Sequence, residues 1–319
     1  IIAYDTSYVD SRILVFDPIL KPGEHRLMKF SSEKKIADFE LQRDLLINGS
    51  YLRNSSFEPR FGYQPALEIK SEAERSRRKL LTESKSENVN ENEPQIRLKR
   101  KFETHVTTDD NQIAIAPGDL IGRHSENGRT TYHYKSAKGI DNNISYFSSN
   151  YETRVIEHKG ISIEVYYLKK HFGNVDAIIE SAIATLDYGE AQFGKYPFNH
   201  LRIAEVPLHW KFGGHALAGT IAFHESFFTQ NTSNPLNGIN QLSRVVIHEI
   251  AHQWFGHKMS PAGGKGANMM SESMAVYVEA QVLERMYGKT MVRRLANFNR
   301  RRYFNFKSSH DQPEVPLSQ

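Results

Sequence analysis

The amino-acid sequence predicts an α+β fold: a partial β-sandwich over residues 1–157, then a mixed part over 158–319 in which a small sheet alternates with long helices. Three observations predict it. Short apolar runs separated by Gly, Pro and Asn turns fill the first part. Near residue 160 the apolar period changes from 2 to 3.6, the sign of strands giving way to helices. The last third then holds three segments of helical length, 242–257, 272–287 and about 289–302.

In chain order, Arg12-Ile13-Leu14-Val15-Phe16 is a short apolar run closed by Asp17-Pro18. Lys21-Pro22-Gly23-Glu24 is turn chemistry, and residues 25–30 resume an alternation that reads as a strand. Asn48-Gly49-Ser50 marks another turn, leading to Phe61-Gly62-Tyr63-Gln64-Pro65. Strands punctuated in this way suggest part of a sandwich. Residues 71–96 differ. The stretch 71–81 is charged and helix-permissive, and 82–94 is rich in Ser, Glu and Asn, so the pair reads as an exposed helix and a flexible loop inserted between strands. Strand patterning returns at 113–116, 130–134 and 144–151. Residues 161–167 form a period-2 strand. Val175, Ile178, Ile179, Ala182, Ile183, Leu186 and Tyr188 then recur at helical spacing, and Gly194 and Pro197 end that helix. Residues 201–206 and 220–223 are the next strands.

Composition sets further bounds. The 319 residues are 39% hydrophobic and 24% charged, proportions of a globular chain long enough for two domains. The net charge, 41 minus 37, is +4, too small to imply a nucleic-acid partner. Basic clusters at Arg75, Arg77, Arg78 and Lys79, at 97–101 and at 300–302 have acids or apolar residues close by and read as solvated faces. With no cysteine, disulfides and thiolate ligands are excluded, and a metal must be held by His, Asp or Glu. No apolar run is long enough to read as a membrane span, and no signal-peptide pattern is seen. The opening Ile1-Ile2 suggests a piece of something longer.

The chemistry concentrates in residues 246–257, which contain His248-Glu249-Ile250-Ala251-His252. Residues four apart share a helix face, one turn above the other, so His248 and His252 can reach one metal ion. Glu249 is placed to work on water bound to it. A catalytic zinc takes three protein ligands and leaves one position for water. Pro261-Ala262-Gly263-Gly264-Lys265-Gly266 is a flexible link to a second helix with Glu272 in its first turn. A carboxylate suits a helix N-terminus on general grounds. Beside two histidines brought close by an antiparallel helix pair, Glu272 is expected to be the third ligand. His257 could supply a fourth ligand to a structural zinc. Five residues past His252, about 140° further round a helix, it is expected to support the site or pack instead.

This stretch resembles the zinc-binding region of gluzincins of the aminopeptidase N and leukotriene hydrolase family. In that family His-Glu-x-x-His is commonly followed by Gln-Trp-Phe-Gly, matched by Gln253-Trp254-Phe255-Gly256. Its third ligand lies in an Asn-Glu-Gly-Phe-Ala-x-Tyr-x-Glu stretch, matched by Ser271 to Glu279. The family's gap between second His and ligand Glu is usually one residue shorter than the nineteen counted here from Gln253 to Ser271. In that gap, and in residues 112–118 and Gly219-Thr220-Ile221, the chain is similar to family modules carried by bacterial membrane proteins that also contain ABC-type permease segments. The resemblance implies a zinc metallopeptidase. Residues 1–157 would correspond to later strands of the family's N-terminal β-domain, and 158–319 to its thermolysin-like catalytic domain, truncated at the C-terminus. His248, His252 and Glu272 would hold zinc, Glu249 would be the general base, and a peptide, not a nucleic acid, would be the substrate. It further implies continuity with membrane-spanning permease segments outside this sequence and a membrane-associated, extracytoplasmic location, with a cytoplasmic one as the alternative.

Two departures follow from the same resemblance. Family aminopeptidases carry Gly-x-Met-Glu-Asn, whose Glu grips the substrate α-amine. With a downstream Tyr-x-Glu set on Phe223-His224-Glu225, the motif falls on Gly213-Gly214-His215-Ala216-Leu217. Gly214, His215, Ala216 and Glu225 are then the substrate-binding candidates, and Ala216 stands where the amine-binding Glu is expected. A methyl group cannot pair an ammonium ion. The family's oxyanion tyrosine, in a Tyr-x-x-Gly-like context, has no match before Gln319, and Tyr303 reads as a surface tyrosine on a basic helix. Two functions remain: zinc-dependent peptide-bond hydrolysis, or a non-catalytic zinc-containing module that binds a peptide or a partner of a membrane transport protein. The retained Glu249 favours hydrolysis, because a structural site has no need of a base.

Overall fold

The computed structural model describes residues 2–5, 13–16, 18–33, 45–46, 49–59, 71–77, 99–207, 212–232, 238–261 and 266–309. It has two compact units, Ile1–Ala37 and Asp38–Gln319. In the first, strand β1 (Ile2–Asp5) pairs antiparallel with β2 (Ile13–Phe16), Ile2 facing Phe16. The expected turn at Gly23 forms with φ +86°, and the Glu24 carboxylate accepts from Lys21 N at 2.9 Å. Residues 25–30 correct the sequence reading: they take no regular structure, and Leu27 is 82% exposed. Alternation makes a strand only where a neighbouring edge offers hydrogen bonds and a surface to cover.

The second unit contains β3 (Leu45–Leu46), β4 (Gly49–Arg53), the short helix α1 (Glu72–Arg77), β5 (Glu103–Asp109), β6 (Ile113–Ile115), β7 (Asp119–Glu126), β8 (Arg129–Lys135), β9 (Ser145–Ser149), β10 (Tyr151–His158), β11 (Ile161–Leu168), α2 (Val175–Phe193), β12 (His200–Val206), β13 (Gly214–Leu217), β14 (Thr220–His224), α3 (Ser226–Thr229), α4 (Gln241–Ala251), α5 (Met274–Tyr287) and α6 (Lys289–Ser309). The predicted 82–94 loop and the Phe61 to Pro65 turn lie outside the described residues. The boundary expected between 157 and 158 falls in the β10–β11 hairpin, where His158 faces Ile161.

The layers of this unit follow from which face each strand turns. The sheet β5-β8-β7 sets Tyr132 and Tyr134 against Ala114 and Ala116 beside the sheet β3-β4-β9-β6. That second sheet sets Tyr51, Ile115 and Phe147 against Tyr166, Ala204, Val206 and Ala222 of the five-stranded sheet β10-β11-β12-β14-β13. The other face of the five-stranded sheet (Ile163, Val165, Leu201, Ile203, Ile221 and Phe223) is covered by α2, α4 and α5. The fold is therefore α+β as expected, with β layers first and a sheet under helices after. β11, β12 and β14 run parallel, with α2 as the crossover from β11 to β12, the connection a parallel pair requires. Central β12 is buried along its whole length. Its Arg202 ties the layers, donating to Glu164 Oε2 at 3.1 Å and Gly118 O at 2.8 Å, with its guanidinium 5.3 Å from the Tyr134 ring centre.

Helix α2 occupies 175–193 as the apolar spacing predicts and closes on Gly194 at φ +78°. The motif helix is shorter than predicted. α4 stops at Ala251, and a π turn covers Gln253–Lys258, with Phe255 (φ −97°, ψ 70°) off the helical angles. A second π turn, Met269–Ser273, precedes α5, so Glu272 lies in a π turn and not in the first α turn. A π turn closes its ring one residue later than an α turn. The two π turns stand on either side of the glycine-rich link in the sequence. Among the described residues, no helix is long and apolar enough to cross a membrane.

Candidate metal centre

The centre is built on α4. Asn240 caps the helix, its Oδ1 accepting from Ser243 N at 3.1 Å. Leu242, Val246, Ile247 and Ile250 anchor one face in the core under the five-stranded sheet, leaving His248 and His252 on a face that is only partly covered. The two rings meet edge to face with centroids 4.9 Å apart and Nε2 atoms 3.3 Å apart. Glu272 comes in from the second π turn, its Oε2 3.3 Å from His248 Nε2 and its Oε1 3.6 Å from His252 Nε2.

These separations test whether the donors suit a metal. A tetrahedral zinc with bonds of about 2.0–2.1 Å spaces its ligand atoms about 3.3–3.4 Å apart. The two Nε2 atoms, 3.3 Å apart, match one such edge, and the Glu272 carboxylate stands beside both, Oε2 3.3 Å from His248 and Oε1 3.6 Å from His252. Tautomer agrees with geometry. His252 Nδ1 lies 3.2 Å from Phe255 O, an acceptor that holds the proton on Nδ1 and leaves the Nε2 lone pair directed at the centre. His248 Nδ1 is buried with no well-aligned hydrogen bond, and its nearest acceptor is Glu279 Oε2 at 3.4 Å. Glu279 is itself fully buried and held by Arg244 Nη1, 3.4 Å from each oxygen. His248, His252 and Glu272 thus form a group that can hold one metal ion.

The protein's own charges act strongly here. Burial disfavours a charged His248, but the carboxylates of Glu272 and Glu279 beside it win and raise it to about 9. Glu272 is lowered, first by its hydrogen bond to His248. His252 is lowered by burial and by the His248 charge. Proton and metal therefore compete for the same nitrogens. Glu249 is 8% exposed, and burial pushes it up to about 7, against the pull of His248 and of the Ala216 N–H that donates to it.

The opposite wall is β13. A Cβ on Gly214 would stand 2.5 Å from Glu249 Cγ, so only glycine lets the strand come this close. Ala216 faces the same way and donates its backbone N–H to Glu249. His215 turns to the other face, its Nε2 3.1 Å from Asn143 Nδ2, and burial holds it down to about 4. Glu225 lies at the start of α3 and its charge acts on Glu205 of β12, not on Glu249. The structure thus brings Gly214, Ala216, Glu249, His248, His252 and Glu272 together and leaves Glu225 elsewhere. His257 stands outside the donor group, Nδ1 3.6 Å from Asp141 Oδ2. Its place past His252 is not set by α-helical rotation, because the helix has become a π turn. Tyr303 is half exposed on α6, its ring 5.4 Å from that of Phe304.

Gln253-Trp254-Phe255 proves to be the mounting of the centre. Gln253 is fully buried; its Nε2 donates to Leu217 O at 3.1 Å and its Oε1 accepts from Gly219 N at 3.0 Å. Trp254 Nε1 donates to Gly194 O at 2.8 Å, and its ring lies on Gly189, where a Cβ would be 2.4 Å away. Phe255 packs on Phe193 with ring centres 4.9 Å apart.

Sequence reasoning gave Glu279 and Arg244 no role. The signal existed for Glu279: seven residues past Glu272, it is two turns on and on the same face. A carboxylate behind a ligating imidazole orients the ring and raises its basicity. Glu279→Gln is therefore expected to weaken zinc affinity by about 10–100-fold, measured by competition with a fluorescent chelator. Unchanged affinity would make Glu279 a packing residue only.

Comparison with known proteins places the likeness in this same region. The Peptidase family M1 domain matches residues 178–317, from α2 through the centre and α6. The chain is 28% identical over 113 residues to Aminopeptidase B of Rattus norvegicus, covering 35% of this chain and 16% of that protein. It is 20% identical over 192 residues to Leucyl aminopeptidase of Saccharolobus solfataricus, covering 60% of this chain and 24% of the relative. It is 34% identical over 89 residues to Aminopeptidase 2 of Candida albicans, covering 27% and 9%. The chain spans a quarter or less of the length of each of these three relatives.

Proposed function

We propose that this chain is a zinc-dependent peptidase unit of the M1 kind, hydrolysing peptide bonds at the centre formed by His248, His252, Glu272 and Glu249. The observation that carries the reading is the three-sided donor set with a buried carboxylate on the same helix beside it. Three protein donors, rather than four, suit a catalytic site. A zinc ion bound there would supply Lewis-acid polarisation of the scissile carbonyl and acidify a water. His248 and His252 offer Nε2 lone pairs, and Glu272 offers its carboxylate. Glu249 takes the proton of the attacking water and passes it to the leaving amine. The Ala216 N–H keeps the Glu249 carboxylate turned toward β13 while it does so.

The M1 match and the aminopeptidase relatives support hydrolysis in general. The placement of Ala216 beside Glu249, with no carboxylate on its side chain, supports a site unlike that of an aminopeptidase. Attachment to permease segments outside the chain and an extracytoplasmic location, with a cytoplasmic one as the alternative, rest on the resemblance carried chiefly by the nineteen-residue spacing and also by residues 112–118 and Gly219-Thr220-Ile221, and we carry them as part of the same proposal.

The test joins two measurements on the purified chain. Elemental analysis is expected to find one zinc per chain. A mixed peptide panel is expected to be cleaved, with cleavage lost to a chelator and restored by zinc. Zinc-loaded protein that binds peptides and cuts none would favour the non-catalytic module.

A further inference from the structure

The wall opposite the metal group says what kind of peptide this centre accepts, given that it hydrolyses peptides at all. In an antiparallel pair, residues alternate between those that exchange hydrogen bonds with the partner and those that do not. His224 N donates to Gly213 O, and β13 runs in register with β14 from Gly214–Phe223 to Leu217–Thr220. His215 and Leu217 therefore turn their backbone groups toward β14, whereas Gly214 and Ala216 turn theirs toward the open edge. The Ala216 N–H reaches Glu249 by that route. Among the described residues, β13 ends its sheet with no strand beyond it. An extended peptide laid along this edge would present its backbone to Gly214 and Ala216 with the bond to be cut beside Glu249.

For an amino-terminal residue, the ammonium nitrogen sits about 2.5 Å from the carbonyl carbon under attack, fixed by covalent geometry. It would have to lie against this same wall. Residues 207–224 and 250–271, which hold β13 and the stretch between Glu249 and Glu272, contain no Asp or Glu. Apart from Glu249, the carboxylates of this region have other partners: Glu272 at the histidines, Glu279 with Arg244, Asp141 beside His257 and Glu205 beside His171. An ammonium ion there would lose water, and the carboxylate it would meet is Glu249, the base that must stay free to take the proton of the attacking water. A neutral amide N–H in its place has the outward carbonyls of Gly214 and Ala216 to donate to.

We infer that the centre takes peptides whose chain continues, or is acylated, on the amino side of the scissile bond, and that it discriminates against a free amino terminus. It acts on internal bonds, with the open edge of β13 holding the substrate as an added strand.

The experiment uses the zinc-loaded chain and one internally quenched peptide panel prepared in two forms, with a free α-amine and N-acetylated. Fluorescence gives kcat/KM, and mass spectrometry locates the first cut. The expected result is equal or faster cleavage of the acetylated form, at internal bonds. A preference for the free amine of about 10-fold or more, the scale of one charge-assisted hydrogen bond, overturns the inference. So does stepwise release of single residues from the amino end. If neither form is cut, hydrolysis itself fails as a reading, and binding of the same two panels decides. Equal or tighter binding of the acetylated form supports the edge-strand site; tighter binding of the free amine, or no binding of either, overturns it.

Discussion

Glu249→Gln is expected to lower kcat for peptide hydrolysis by about 10²–10⁴-fold, the usual contribution of a positioned general base. The change is nearly isosteric. Its amide oxygen can still accept from the Ala216 N–H, and the Gly214 contact that fixes the side chain remains. What it loses is the capacity to take a proton. KM should therefore move little while kcat falls, the pattern of an interaction made in the transition state. Zinc content should stay at the wild-type level, because His248, His252 and Glu272 are untouched. Stopped assays with elemental analysis on the same preparations check both halves. Cleavage at the wild-type rate would end the proposed mechanism.

Trp254→Ala is expected to cost about 3–5 kcal/mol of stability. The ring is 1% exposed, lies on Gly189 of α2 and meets Tyr196 edge-on with centroids 5.5 Å apart. Removing it opens a cavity between the motif helix and α2 and leaves Gly194 O without its 2.8 Å donor. Urea unfolding should show a lower midpoint with an unchanged slope. A loss under about 1 kcal/mol would mean that α2 and α4 collapse onto each other, contrary to a close-packed contact between them.

What could be read from the sequence, and what could not, divides along a physical line. Local periodicity located α2 to the residue, because apolar positions at helical spacing and Gly194 act on one element alone. The His248 and His252 pair was legible for the same reason: a shared face is a property of one helix. Glu272 needed an assumption about how two helices meet, and the donor distances support it. Residues 25–30 misled, since alternation is necessary for a half-covered strand but does not supply the neighbouring edge. The π turns were hidden because apolar spacing over five or six residues cannot separate them from an α turn. β13 escaped notice as a strand because Gly-Gly-His-Ala has little strand preference; its pairing with β14 and the approach to Glu249 define it. Arg202 could not be given its role from sequence, since its partners lie at Gly118, Tyr134 and Glu164 in other strands.

The Gln253 amide bridge has a consequence for how such a centre can vary over time. One side chain, directly after the second histidine, fixes the β13–β14 turn through Leu217 O and Gly219 N. The spacing between the substrate edge and the metal donors is thus written inside the histidine motif, not in the connections that precede it. A change at Gln253 would therefore move the edge and the donors apart in a single step.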